Sequence, residues 1–320
     1  MSKQVRIYPT ATDIEAASRR LKGLIHRTPV FESKVLNAQF GHELHFKAES
    51  MQKSGSFKFR GALNALLIQP RSVLLAGVAT HSSGNHAGAL AKAAGILGIK
   101  AYVVMPTSTT LTKRKAVEGY GAEIIYCEPT LAAREATLNE VLERTGAFFI
   151  HPYNNYDVIC GQATAAYELL EDYNLDYVIA PVGGGGLLSG TASAVHFWGK
   201  GCKTIGAEPS RADDAYRSFT TGKLQPAIDN PGTLADGLQT SLCELTLGII
   251  RQRVSGIVRV SEEQIITAMR LLFERLKIVV EPSAAVPLAA LLQHNNIPDS
   301  SRIGIILSGG NTDLDRLPFL

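Results

Sequence analysis

Lys58 stands between two phenylalanines in the run Ser54-Gly55-Ser56-Phe57-Lys58-Phe59-Arg60-Gly61-Ala62. Apolar neighbours lower the pKa of an amine, and an amine that has lost its proton can form a Schiff base with a carbonyl compound. Taken alone, the pattern favours a plainer outcome, a helix-start lysine that snorkels into water. Further along, Gly183, Gly184, Gly185 and Gly186 follow an apolar run and precede a helical one. Without side chains, successive N–H groups can wrap an anion, and the positive end of the next helix adds to the attraction, so phosphate is the natural guest. A nucleotide P-loop is excluded, because no Lys-Ser/Thr pair follows the glycines. A dinucleotide site stays open at this point: Gly184, Gly186 and Gly190 form a relaxed fingerprint, and Glu208 ends the next strand about 20 residues on.

Two more segments could bind polar groups. Thr80-His81-Ser82-Ser83-Gly84-Asn85-His86 leads into an alanine-rich helix, and its hydroxyls, amide and helix-start N–H groups suit a carboxylate. Ordinary N-capping explains one of these serines and not the run. Leu307-Ser308-Gly309-Gly310-Asn311 is a strand running into a small-residue turn. It is weak alone, but in a parallel sheet ligands collect at the carboxyl ends of strands. The four cysteines, Cys127, Cys160, Cys202 and Cys243, are widely spaced and show no zinc pattern; they read as small buried or half-buried thiols.

The elements that must position these groups follow from hydrophobic periodicity. Short β-rich runs alternate with amphipathic stretches, which predicts an α/β protein with parallel sheets. Strands are expected at 43–49, 101–105, 123–126, 147–150, 177–182, 203–207 and 303–307. Helices are expected at 12–24, 112–120, 131–144, 156–171, 188–197, 262–276 and 284–292. The length of 320 residues allows about two domains, with no Pro/Ser-rich linker to separate them. Apolar residues at 45% and charged residues at 19% exclude disorder, collagen and coiled coil. A net charge of +3 with a single Trp gives no nucleic-acid footprint, and no apolar run approaches a membrane span. The N-terminal segment has no apolar signal core, so a cytoplasmic protein is expected.

The four glycine- and serine-rich motifs, in this order, resemble the fold-type II pyridoxal-phosphate enzymes, and within them the serine/threonine dehydratase and serine racemase group. The resemblance runs from about Arg27-Thr28-Pro29 to Asp313 and displaces the dinucleotide reading. It implies two open, twisted, mostly parallel sheets with flanking helices, as in tryptophan synthase β. It also implies a large domain from 1–70 and 153–320, with a smaller βαβ domain inserted at 71–152. Lys58 would hold pyridoxal 5′-phosphate as an internal aldimine beside Phe57, and Asn85 would meet the ring hydroxyl. Gly183, Gly184, Gly185, Gly186 and Leu187 would bind the phosphate, and Ser308 the ring nitrogen. Ser82, Ser83, Asn85 and His86 would take the substrate carboxylate.

The activity implied is dehydration and deamination of a β-hydroxy amino acid (L-serine, L-threonine or threo-3-hydroxyaspartate) to a 2-oxo acid and ammonia. Racemisation of serine or aspartate is the alternative, with Lys58 and Ser83 as bases on opposite faces of the substrate carbon. Arg134 stands where some relatives carry an arginine near the substrate, though on a helix of alternating charge a solvated arginine is the default. Glu208-Pro209-Ser210-Arg211-Ala212-Asp213-Asp214 matches the racemase group's divalent-cation segment. Glu208, the Ala212 carbonyl and Asp214 would hold Mg²⁺ or Ca²⁺. Tyr153 departs from the asparagine that animal racemases show nearby. Glu281-Pro282-Ser283 matches a segment lining the site, with no role assigned to Glu281. Relatives of this group are usually homodimers, so a homodimer acting on a small amino acid, without nucleic-acid or membrane partners, is expected.

Overall fold

Runs such as Ala101–Pro106 and Arg302–Leu307 are apolar nearly throughout, the mark of strands covered on both faces, and such strands pair in parallel with helices crossing between them. A computed structural model describes residues 8–109, 111–293 and 297–319 and shows this arrangement. In chain order the strands are β1 (Val30–Phe31), β2 (Glu43–Ala48), β3 (Val78–His81), β4 (Ala101–Pro106) and β5 (Glu123–Cys127). There follow β6 (Phe148–Phe149), β7 (Tyr177–Pro181), β8 (Lys203–Pro209), β9 (Gly256–Val260) and β10 (Arg302–Leu307). One sheet has the order β1-β2-β10-β7-β8-β9 and the other β5-β4-β3-β6. Every pairing is parallel except β1 with β2. The first seven residues of the segment read for a leader lie outside the described residues. Among the described residues no helix is long and apolar enough to cross a membrane.

The larger sheet is buried on both sides. Phe46, Ile179, Val260, Ile265 and Leu288 belong to the core on one face, and Leu169, Leu188, Val195 and Ile250 to the core on the other. A third core, with Leu63, Leu66, Leu90 and Val158, joins the helix Lys58–Ile68 to the helix Asn85–Ile96 beside the smaller sheet. The helix Lys58–Ile68 also crosses the helix Tyr156–Asp172 at backbone contact. A Cβ on Gly161 would lie 2.6 Å from the Gly61 Cα, so neither position accepts a side chain. This crossing fixes where the helix bearing Lys58 begins.

The structure departs from the sequence reading at element ends and in weakly patterned segments. The first helix runs Ala11–Leu21 rather than to 24, because the chain turns at Lys22 and Gly23 has φ +79°. Its cap is Thr10, in a capping box with Asp13. The strand expected at 147–150 pairs only over Phe148–Phe149. The long helix expected at 262–276 is α-helical over Glu262–Leu271, continues as a π turn over Leu272–Leu276, and stops at Lys277 with φ +60°. The edge strand β9, the short β3 and the helices Lys34–Phe40, Asp214–Thr221 and Glu244–Arg253 are too short, at ten residues or fewer, for a periodic pattern to decide them.

Candidate active site

Lys58 is the first residue of its helix, and the backbone on either side is pinned. Ser56 forms an antiparallel bridge with Gly309, the Phe57 N–H donates to the Ser308 carbonyl at 3.0 Å, and the Gly310 N–H to the Gly55 carbonyl at 2.9 Å. The first and fourth motifs are therefore one unit, although about 250 residues separate them. Lys58 is half-buried; its Nζ donates to the Pro152 carbonyl at 3.0 Å and lies 5.3 Å from the Phe57 ring centre. Desolvation pulls its pKa down to about 8, opposed by the carboxylate of Glu281. The solvated lysine favoured by the local pattern is not what the fold makes.

The glycine run follows β7 and lies wholly buried. Gly185 caps the helix Gly186–Trp198 in the left-handed region, at φ +84°. The first-turn N–H groups of that helix, including those of Gly186 and Leu187, have no intrahelical acceptor and face an anion's preferred place. Tyr153 packs against the run so closely that a Cβ on Gly184 would lie 2.4 Å from its ring. Burial raises the Tyr153 hydroxyl to about 12, so it stays neutral.

Ser308 is 2% exposed and its hydroxyl has no hydrogen-bond partner. An orphaned buried hydroxyl costs free energy unless a bound group completes it. Asn85, at the start of the helix Asn85–Ile96, donates from Nδ2 to both Glu281 carboxylate oxygens at 2.8 and 3.0 Å. Its Oδ1 accepts from Asn311 Nδ2 at 2.8 Å. Ser82 accepts the Gly84 N–H on its hydroxyl at 3.3 Å, and Ser83 is half-buried beside it. Backbone bonds thus join the Phe57-Lys58 segment to Ser308, and Asn311 ties Asn85 to the Ser54 carbonyl of the same motif.

Two residues expected to touch substrate make other bonds in this structure. His86 is 2% exposed, and burial holds its pKa well below 6.5. Its Nε2 meets the Ile150 carbonyl at 3.2 Å, which places the proton there and leaves Nδ1 with a lone pair. A neutral ring in that tautomer has no N–H left for a carboxylate, so in this arrangement the backbone N–H, in the first turn of its helix, is the group His86 can offer. Arg134 bonds the cap of its own helix, Nε to the Thr130 carbonyl at 3.4 Å, and among the described residues no hydrogen bond joins it to the other site residues.

Some groups at the site had no motif to announce them. Pro152 enters through its carbonyl, which any residue could supply. His151 accepts the N–H groups of Tyr153 and Asn154 on Nδ1 at 3.2 and 2.8 Å. Burial, with His81 and Lys58 nearby, lowers its pKa to about 4. Glu281 was noted without a role; 4% exposed, it is pushed up to about 7 by burial and by Asp236.

The expected cation segment follows the end of β8. Glu208 is buried and accepts the N–H groups of Ala215 and Tyr216 at 2.8 and 2.7 Å. Burial nevertheless raises it to about 9 and Asp214 to about 6. Both Asp214 carboxylate oxygens are buried without a partner, and Ala212 ends the short turn Ser210–Ala212 next to it. Among the described residues no three His, Cys, Asp or Glu side chains cluster as a metal site.

Known proteins place this geometry. The family profile described as "Pyridoxal-phosphate dependent enzyme" matches residues 21–309. A beta-hydroxyaspartate dehydratase of Paracoccus denitrificans is 46% identical over 312 residues, covering 97% of this chain and 99% of its own. A serine racemase of Dictyostelium discoideum is 45% identical over 312 residues, covering 96% of each. A solved structure of maize serine racemase superposes with a TM-score of 0.92 at 40% identity, covering 95% of this chain and 94% of the other. Fold, profile and relatives agree: the chain belongs to the pyridoxal-phosphate dependent enzymes.

Proposed function

We propose that the protein eliminates water from a β-hydroxy amino acid by pyridoxal-phosphate chemistry, and that the enamine released takes water up again and loses ammonia, so that the net products are a 2-oxo acid and ammonia. The observation that carries this reading is Lys58: an amine with a pKa of about 8, beside an anion-shaped glycine run and an orphaned serine hydroxyl. The cofactor, when bound, supplies an electron sink that acidifies the substrate α-carbon. Gly183, Gly184, Gly185, Gly186 and Leu187 hold its phosphate, Asn85 its ring hydroxyl and Ser308 its ring nitrogen. A serine hydroxyl, unlike a carboxylate, does not keep that nitrogen protonated. The sink is then weak, which suits a reaction in which the departing β-hydroxyl quickly relieves the negative charge. Lys58, neutral over much of the range above pH 8, removes the α-proton. Ser82, Ser83, Asn85 and the start of the helix Asn85–Ile96 hold the substrate carboxylate away from water.

Ser83 supports a second outcome. It is half-buried, so its hydroxyl can meet substrate, and a proton returned by Ser83 opposite Lys58 gives racemisation. The dehydratase and racemase relatives at nearly equal identity leave both activities on one scaffold. Incubation with L-serine, L-threonine and L-threo-3-hydroxyaspartate, with 2-oxo acid, ammonia and D-isomer all measured, separates them. Oxo acid with little D-isomer is expected; D-isomer in quantity reverses the order, and neither product refutes the reading. Lys58→Ala should lower turnover by about 10²–10⁴-fold or more without changing the melting temperature of the cofactor-free protein by more than a few degrees.

The proposal extends to three further points. The carboxylate of Asp214, unpartnered among the described residues, beside Glu208 fits a divalent cation completed by the Ala212 carbonyl and water, Mg²⁺ or Ca²⁺, whose charge would offset the cost of burying both carboxylates. Residues 71–152 act as an inserted domain that closes over the substrate, with Arg134 placed to meet a second carboxylate only on closure. A cytoplasmic homodimer is the working form, a state that light scattering on the purified protein reads directly.

A further inference from the structure

We propose that Glu281 is a positioning residue: it fixes the Asn85 amide at the ring-hydroxyl edge of the cofactor site and sets the site's buried negative charge there, away from the ring nitrogen. The inference rests on the pyridoxal-phosphate reading above and adds to it a residue that the motifs leave without a role. Four chain segments converge to make the arrangement. Glu281 is the N-cap of the helix Pro282–Leu291, and its own N–H donates to the Gly309 carbonyl at 3.0 Å. Its carboxylate takes Asn85 Nδ2 on both oxygens, at 2.8 and 3.0 Å. On the other side, Asn311 Nδ2 donates at 2.8 Å to Asn85 Oδ1 and at 2.8 Å to the Ser54 carbonyl.

With its oxygen taken by Asn311 and one side of its nitrogen taken by Glu281, the Asn85 amide cannot flip. Its second N–H is then the group left for a ligand. Gly309 serves the same arrangement, because a Cβ there would stand 2.8 Å from Glu281 Oε1. The first glycine of the Ser-Gly-Gly-Asn motif is thus the seat of a carboxylate.

The charged groups that act on Glu281 come from three other segments. Asp236 pushes its pKa up, Lys113 pulls it down, and Lys58 is itself held up by Glu281 against the effect of burial. Ser308, proposed above to face the ring nitrogen, offers only a neutral hydroxyl. A negative charge at the hydroxyl edge favours a proton kept on that side, near the Lys58 nitrogen, over one on the ring nitrogen. The weak electron sink argued from Ser308 then has two causes, a missing charge at one end and a present one at the other.

The test uses wild type, Glu281→Gln, Asn85→Ala and the double variant. Each is loaded by titrating the cofactor-free protein with pyridoxal phosphate, and the cofactor absorbance is followed from pH 5.5 to 9.5. Glu281→Gln is expected to keep the melting temperature of the cofactor-free chain and to bind pyridoxal phosphate within about 3-fold of wild type. The pH midpoint of its absorbance change should fall by about 0.5 unit or more, since a lost negative charge disfavours the protonated form. Its kcat should fall more than its KM rises. Asn85→Ala should move the midpoint the same way, and the double variant no further, because the charge acts through the amide. An unmoved midpoint in Glu281→Gln overturns the proposal, as do shifts that add in the double variant. If Glu281→Gln does not fold, an unmoved midpoint in Asn85→Ala overturns it alone. A wild type that takes up no pyridoxal phosphate overturns instead the reading on which the proposal rests.

Discussion

His151 shows how much of this site depends on uncharged imidazole. Two backbone N–H groups point at Nδ1, so a proton added there would face two donors, and burial opposes the charge as well. The pH dependence follows. With a folded pKa of about 4 and an unfolded value near 6.5, the unfolded chain binds a proton between those pH values that the folded chain does not. His151 therefore favours the folded state fully above pH 6.5, and this is lost as pH falls from 6.5 to 4, by about 3 kcal/mol at the limit. His151→Gln should flatten that acid limb relative to wild type, measured as the difference in unfolding free energy across the window. Lys58, Ser308 and the glycines were legible in the sequence because each sits in a run of unusual composition. The roles of His151 and Tyr153 were not, because an isolated His or Tyr carries no periodicity, and its task arises from which backbone groups the fold aims at it.

At the scale of elements, Arg60 explains why the lysine motif continues beyond the lysine. It is fully buried and bonds Glu49 at 2.7 and 2.8 Å and Glu168 at 2.7 and 2.8 Å. Lys47 also bonds Glu168, at 2.6 Å, which closes a network of two cations and two anions. The network ties the helix bearing Lys58 to β2 and to the helix Tyr156–Asp172. Removing one member leaves buried charge uncompensated, so Arg60→Ala should cost about 3–5 kcal/mol, seen as a lower urea midpoint at unchanged slope. The strands and the main helices were readable because apolar period and turn residues agree there. The π turn at Leu272–Leu276 and the strand β9 were not, because hydrogen-bond register and an edge position leave no mark on the pattern.

Across the whole molecule, the smaller sheet reaches the larger one through few side-chain bonds at the cleft. Lys113, on the helix Leu111–Gly119, pairs with Asp236, and Asn85 pairs with Glu281. Sequence order alone could not say that these segments meet. The proposed cation acts at this scale too, because β8 and the helix Asp214–Thr221 meet at Glu208, whose carboxylate accepts the N–H groups of Ala215 and Tyr216, beside the buried carboxylate of Asp214. A chelator should lower the melting temperature and Mg²⁺ should restore it, with a contribution of about 3 kcal/mol when the ion is at 100 times its Kd. No change in melting on chelation would remove the cation from the account.

The bond from Lys58 to the Pro152 carbonyl has a kinetic consequence. Capture of an aldehyde by this amine requires that its bond to the segment leading from β6 into the helix Tyr156–Asp172 open first. Reconstitution should therefore stop accelerating at high pyridoxal phosphate, with a first-order plateau set by the opening step. Stopped-flow absorbance would show this, and a rate that stays linear in cofactor concentration would mean that the amine is released faster than the aldehyde arrives.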